Sequence, residues 1–96
     1  MNKTDYLLTV MAEECAEVQK VACKALRFGL DDINPATKKT NLEELQHEVN
    51  DLLAVLRLLD IKNDEDVQQQ KVAKLVYWMR YSETRGKLED QFGDLF

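Results

Sequence analysis

The sequence predicts an all-α protein with three main helices in each chain. Apolar residues recur at the 3.6-residue rhythm of a helix in the first third, and the middle of the chain carries a helix-start signature followed by an apolar run. No segment alternates apolar and polar residues convincingly, as a half-buried strand would. The 96 residues are expected to form one domain, residues 1–96, completed by oligomerisation, because so short a chain buries only a small core.

The first helix is predicted from Thr4 to about Phe28. Thr4 is a suitable N-cap, and Gly29 offers a stop after the last helical residue. The residues that should face the core are Leu7, Val10, Met11, Val18, Val21 and Ala25. Glu14 falls in a gap of this stripe, which places a carboxylate within the apolar face.

The second helix is predicted from Thr40 to about residue 60. Thr40 and Glu43, three residues apart, form a capping-box signature. Pro35 makes a helix through the preceding loop unfavourable. Residues 52–59 are apolar almost all round, as expected for a helix contacted both by its own chain and by another subunit. We therefore expect a homodimer or homotetramer.

The third helix is predicted from residue 64 to about residue 82. Asn63 and Asp64 supply its start signal. The chain then becomes polar, and Gly86 interrupts it. The segment Phe92 to Phe96 is interpreted either as a docking tail or as a frayed end.

Composition disfavours two classes of function. The net charge of −5 argues against a protein that binds duplex nucleic acid, since phosphate backbones require a basic surface. No apolar run approaches the roughly 20 residues that cross a bilayer, and the N-terminus does not resemble a signal peptide. We expect a cytoplasmic protein without membrane contact.

The two cysteines are expected to be reduced and packed. Cys15 and Cys23 lie eight residues apart on one predicted helix, about 12 Å at 1.5 Å per residue. That separation is too large for a disulfide between them.

Two acidic pairs at helical spacing are the strongest functional signal. Glu14 and Glu17 share one helix face, and Glu48 and Asp51 share another, because residues three apart are neighbours on a helix. Carboxylates removed from water are costly unless they are paired or bind a cation. Antiparallel packing of the first two helices would bring the pairs together in an all-oxygen site suited to Mg²⁺, with Mn²⁺ also acceptable. The ordinary alternative is two solvated helix faces.

A di-iron site is a further interpretation of the same acids. Glu44 and His47 match the Glu-x-x-His element of di-iron carboxylate bundles, but such sites need two of these elements. The chain has one histidine, so His47 is expected to be a plain polar-face residue.

The third helix carries a basic and aromatic strip. Lys71, Lys74 and Tyr77 follow one another at three-residue spacing, and Arg80 continues the series. The strip would suit phosphate oxygens beside a nucleobase. It would equally suit a solvated face on which the lysines serve no ligand.

The acidic motifs resemble those of the MazG-like group of all-α nucleoside triphosphate pyrophosphohydrolases. The likeness lies in Glu-Glu-x-x-Glu at residues 13–17, Glu-x-x-Asp at residues 48–51, and the flanking stretches 24–30 and 41–53. It extends over most of the chain.

The resemblance implies hydrolysis of an NTP or dNTP to the monophosphate and pyrophosphate, as nucleotide-pool housekeeping. The residues it implies as Mg²⁺ ligands are Glu14, Glu17, Glu48 and Asp51. Glu13 and Glu44 are the candidates for orienting the attacking water. The candidates for contacting the substrate are Lys71, Lys74, Tyr77 and Arg80. The alternative from another class is a non-catalytic helical interaction or scaffold protein.

Overall fold

The computed structural model describes residues 1–88, and this part of the chain is helical. The helices are α1, Lys3–Phe28; α2, Asn41–Leu58; and α3, Glu65–Thr84. Extended structure within residues 1–88 is limited to an isolated antiparallel bridge between Ile33 and Thr40. The predicted all-α class with three main helices is therefore confirmed. The predicted docking tail, Phe92 to Phe96, lies outside the described residues.

The ends of α1 follow local capping signals. Its N-cap is Asn2 rather than the predicted Thr4: the Asn2 Oδ1 accepts a hydrogen bond from the Asp5 N–H at 2.8 Å. Gly29 ends the helix with φ of 97°, a conformation that side chains disfavour, and its N–H donates to the Ala25 carbonyl at 2.7 Å.

The starts of α2 and α3 agree with prediction. Thr40 and Glu43 form the complete capping box of α2. The Asp64 carboxylate caps α3. The predicted ends are less accurate, because α2 ends earlier, at Leu58, and α3 continues to Thr84.

Helices α1 and α2 pack against each other and run antiparallel. Asn41, at the start of α2, bonds Gly29 at the end of α1. Glu14, in the middle of α1, approaches Asp51, much further along α2. Contacts that advance along one helix while retreating along the other require opposite directions, which is the arrangement expected from the acidic pairs.

The core between these helices is small. Within residues 1–88 the buried apolar side chains are Val21 of α1 and Val55 of α2. The rest of the predicted α1 stripe is half-buried. On α2, Leu53 is 49% exposed and Leu58 72% exposed. A large apolar area of the α1–α2 pair is therefore left in contact with water.

The loop between α1 and α2 is held by hydrogen bonds at both ends. Asn41 is buried, its side-chain Nδ2 donates to the Gly29 carbonyl at 2.8 Å, and its N–H donates to the Asp32 carbonyl at 3.0 Å. Further along the loop, the Asn34 N–H donates to the Lys39 carbonyl at 2.9 Å. These bonds define the path by which the loop returns to α2.

The chain divides into two compact units, Met1–Lys62 and a second that begins at Asn63. The second unit contains α3, along which Tyr77, Trp78 and Tyr81 stack edge to face with ring centroids 5.1 Å and 5.4 Å apart. Within residues 1–88 no helix combines the length and the apolar character needed to cross a membrane.

Cys15 and Cys23 are free, as expected. Both are exposed, however, so the expectation that they are packed thiols is wrong. Cysteine is often buried in proteins, but here the two positions lie outside the stripe that faces α2.

Candidate metal centre

Three carboxylates from two helices converge on one point. Glu14 comes from α1, and Glu48 and Asp51 come from neighbouring turns of α2. One oxygen from each residue lies within 4.8 Å of the others. The three-residue spacing aligns the α2 pair, and antiparallel packing supplies the third acid. Three of the four predicted metal ligands are thus brought together.

The Glu14 carboxylate lacks compensation from the surrounding protein. Its Oε2 is buried, and it has no hydrogen-bond partner in the part of the chain that the structure describes. Removal from water raises the pKa of Glu14 above its ordinary value of 4.5, and the negative charges of Asp51 and Glu48 raise it further. A cation between the three residues would relieve both penalties.

The donor set fits a hard divalent cation. All three groups offer carboxylate oxygens, the ligands preferred by Mg²⁺ and Mn²⁺. His47, the histidine of the Glu-x-x-His element, is outside the group of three, so the iron interpretation receives no support from it. Acidic side chains also gather on helices that bind no ion, and the buried oxygen of Glu14 is the feature that distinguishes this cluster.

Two predicted residues of the same motif lie at the edge of the group. Glu17 and Glu13 are exposed, and neither belongs to the three converging residues described within positions 1–88. Their charges still add to the rise in the pKa of Glu14. Glu17 as a ligand and Glu13 as a water-orienting group stay predictions.

Glu44 lies one helical turn before Glu48 and has a different environment. The Lys24 Nζ donates to its Oε2 at 2.5 Å, and its Oε1 accepts from the Asn34 Nδ2 at 3.2 Å and the Thr37 Oγ1 at 3.0 Å. The hydrogen bond from Lys24, followed by that from Thr37, holds the pKa of Glu44 below its ordinary value. Glu44 therefore ties α1 and the loop to α2.

A cleft of about 200 Å³ opens beside the carboxylates. The residues that line it are Thr37, Lys39, Glu44, His47 and Glu48. Glu48 thus belongs both to the cleft and to the converging acids, and the His47 Nε2 lies 3.4 Å from the Asp51 Oδ2. Sequence reasoning did not identify Lys39. The adjacent basic pair just before the α2 N-cap is the signal that could have identified it.

The predicted substrate contacts lie on α3, in the second unit. Lys71, Lys74, Tyr77 and Arg80 are all exposed. Tyr77 packs its ring edge to face on Trp78, with centroids 5.1 Å apart. Their role in binding a substrate stays a prediction.

The first unit thus contains Glu44, whose carboxylate receives three hydrogen bonds, a separate cluster of three converging acids, and a cleft beside them. These features, together with the acidic motifs of the sequence, are the basis for assigning a function. Comparisons of this chain with protein-family models, curated proteins and solved structures find no match.

Proposed function

We propose that this protein is a MazG-like, metal-dependent hydrolase that converts a nucleoside or deoxynucleoside triphosphate into the monophosphate and pyrophosphate. Its role would be housekeeping of the nucleotide pool. The observation that carries the proposal is the Glu14 carboxylate, which converges with Glu48 and Asp51 and whose buried Oε2 has no hydrogen-bond partner within residues 1–88. Three carboxylates at one point, one of them with a buried oxygen that no described donor satisfies, favour a bound divalent cation.

The three converging acids would hold Mg²⁺, or Mn²⁺ in its place. Glu17, on the same face of α1 as Glu14, is proposed as a further ligand. Bound there, the cation would neutralise charge on the triphosphate and lower the pKa of a coordinated water.

A proton acceptor is needed when water attacks the α-phosphorus. The new bond joins the water oxygen to that phosphorus, the anhydride bond to the β-phosphate breaks, and pyrophosphate leaves. Glu13 is the better candidate for taking the proton, because it is exposed beside Glu14. Glu44 is the weaker base, since its pKa is lowered and three donors already occupy its oxygens.

The strip on α3 is proposed to contact the substrate. Lys71, Lys74 and Arg80 would bind phosphate oxygens, and Tyr77 would stack against the base. What supports this is the chemistry and spacing of the four exposed side chains.

We also propose that the working protein is a homodimer or homotetramer. In support, Val21 and Val55 are the buried apolar residues of the described chain, whereas Leu26 is 88% exposed and Leu58 72% exposed. A small core and a large apolar surface favour association. Light scattering that returned a monomer mass at assay concentration would contradict it.

A second candidate, a non-catalytic helical interaction protein, draws on that same exposed apolar surface. It makes no use of the converging carboxylates. If it were correct, neutralising the acids would leave the function unchanged, whereas the hydrolase requires them charged.

The decisive experiment is pyrophosphate release from a panel of NTPs and dNTPs, with Mg²⁺ and with chelator. We expect release that requires the metal. Asp51→Asn should lower it by more than about 100-fold, since even partners in the outer shell of a metal are worth 10- to 100-fold.

Asp60→Asn is the matched control, because it removes the same charge from a residue in the same unit. Asp60 pairs with Lys62 at 2.5 Å and has φ of 59°, a conformation that asparagine tolerates as well as aspartate. This variant should keep full activity. Metal-dependent turnover that survives in Asp51→Asn would reject the assigned site, and silence across the panel would favour the interaction protein.

A further inference from the structure

The cleft of about 200 Å³ adjoins the point where the carboxylates converge. Glu48 contributes to both, so a ligand in the cleft lies next to a cation held by the acids. An anion in the cleft could also contact that cation, because the positive charge of the cation would offset the repulsion between the anion and the acids.

Lys39 is the cationic group of the cleft that lacks a carboxylate partner in residues 1–88. The ion pairs there join Lys24 to Glu44 and Lys62 to Asp60, and the His47 Nε2 lies 3.4 Å from the Asp51 Oδ2. Glu44 also lines the cleft, but Lys24 neutralises it. The ammonium of Lys39 is therefore available to an anion.

The backbone of Lys39 is held on both sides by residues that bond Glu44. Its N–H donates to the Thr37 Oγ1 at 3.3 Å, and Thr37 in turn donates to the Glu44 Oε1 at 3.0 Å. Its carbonyl accepts from the Asn34 N–H at 2.9 Å, and the Asn34 Nδ2 donates to the Glu44 Oε1 at 3.2 Å. One carboxylate on α2 thus fixes the loop position from which Lys39 reaches the cleft.

We propose that this cleft is a subsite for a phosphate group of the substrate, that Lys39 binds the phosphate, and that Glu44 is the positioning residue for Lys39. The inference rests on the proposed function, of which it names one anion contact. It places a phosphate contact within the first unit, in addition to the predicted contacts on α3.

The test measures calorimetric binding of inorganic pyrophosphate to the full chain in Mg²⁺. Lys39→Met should weaken binding about tenfold or more, the usual effect of losing a hydrogen bond to a charged group. Lys39→Arg keeps the charge and should restore most of the affinity. Mg²⁺ affinity without pyrophosphate should be the same in all variants, because Lys39 contacts phosphate and not the metal.

Lys38→Met is the matched control, because it removes the same charge one residue away and Lys38 does not line the cleft. It should change pyrophosphate affinity by less than about twofold, since salt screens an exposed charge. Equal losses in Lys38→Met and Lys39→Met would overturn the subsite, because a general charge effect would then explain both.

The role of Glu44 is tested by a double-mutant cycle. Glu44→Gln should weaken pyrophosphate binding while leaving Mg²⁺ affinity intact. If Glu44 acts through Lys39, this loss should disappear in the Lys39→Met background. Additive losses would overturn the positioning role.

Failure of this inference and failure of the proposed function give different results. A wild-type protein that binds no Mg²⁺ and releases no pyrophosphate would remove both. A wild-type protein that is active and metal-dependent, with unchanged pyrophosphate affinity in Lys39→Met, would overturn the subsite alone.

Discussion

Glu44 and Glu48 lie one turn apart on α2 and have opposite surroundings. Glu44 receives hydrogen bonds from Lys24, Asn34 and Thr37, which lower its pKa. Glu48 lies beside Glu14 and Asp51. The pKa of Glu14 is raised by burial and by the negative charges of Asp51 and Glu48. The Glu44 carboxylate is compensated by a cation of the chain itself, whereas the converging acids are proposed to bind a cation from solution.

The residue opposite on α1 accounts for this difference. Because the helices are antiparallel, Glu44 meets Lys24, and Glu48 meets Glu14 ten residues earlier on α1. A lysine opposite Glu44 gives a structural ion pair. A glutamate opposite Glu48 gives a candidate metal centre in the same pair of helices. Charge compensation is therefore the property that separates structure from proposed function here.

The largest expected effect comes from replacing one glutamate in each centre by glutamine. Glu48→Gln should lower Mg²⁺ affinity by more than about 100-fold, because it removes a proposed ligand. Even the loss of a residue that only supports a metal ligand lowers metal affinity about 10- to 100-fold. Glu44→Gln should leave Mg²⁺ affinity unchanged and lower the melting temperature instead. Isothermal titration with Mg²⁺ and thermal unfolding in chelator measure the two outcomes.

The two variants serve as controls for each other, since each replaces one glutamate of α2 by glutamine. An equal fall in Mg²⁺ affinity in both variants would contradict the different roles assigned to Glu44 and Glu48. Those roles would also be contradicted if Glu48→Gln destabilised the metal-free protein as much as Glu44→Gln does.

An intermediate effect is expected from the basic residues. Lys24 is engaged by Glu44, whereas Lys71 and Lys74 have no carboxylate partner within residues 1–88. If uncompensated charges mark function, Lys71→Met and Lys74→Met should each raise the KM for the triphosphate about tenfold, the loss of one charged hydrogen bond. Steady-state pyrophosphate release measures this change.

Lys3→Met is a suitable control for the α3 lysines, since Lys3 is exposed at the first position of α1. It should leave KM unchanged. An unaltered KM in both α3 variants would remove that strip from the proposed site and leave the converging acids unaffected.

The smallest expected effect is on stability, and its dependence on pH sharpens the contrast. The pKa of Glu14 in the folded state is raised above 4.5, so ionised Glu14 destabilises the metal-free protein. This penalty develops as pH rises from 4.5 through the raised pKa, and it is constant once Glu14 is ionised in the folded protein as well. Glu14→Gln should therefore raise the melting temperature in chelator by a few degrees near neutral pH. The gain should vanish below 4.5.

Glu44 should behave in the opposite way. Its folded pKa is lowered, so it contributes stability above 4.5 that is lost as pH falls through the lowered pKa. Glu44→Gln should lower the melting temperature near neutral pH and match wild type in stronger acid. Circular-dichroism melts of both variants across this range check the prediction, and shifts of the same sign would contradict it.

Much of the fold could be predicted because its signals are local. Capping by Thr40 with Glu43, and by Asp64, depends on residues within one turn of each other. The same holds for the pairing of Glu48 with Asp51. The errors arose where nearby residues compete, as when Asn2 rather than Thr4 caps α1, or where residue type outweighed position, as with the exposed cysteines.

The sequence alone was sufficient for the helices and for which acids share a helix face, since helical periodicity determines which side chains lie together. The antiparallel packing that makes acids of both helices converge was a condition of the sequence argument, and the tertiary structure supplied it. The tertiary structure was needed to distinguish Glu44 from Glu48. Lys24 lies 20 residues from Glu44, and Asn34 lies 10 residues away. Which of two equivalent-looking glutamates meets a lysine depends on the path of the loop and the register of the helix pair, and neither is encoded in local periodicity.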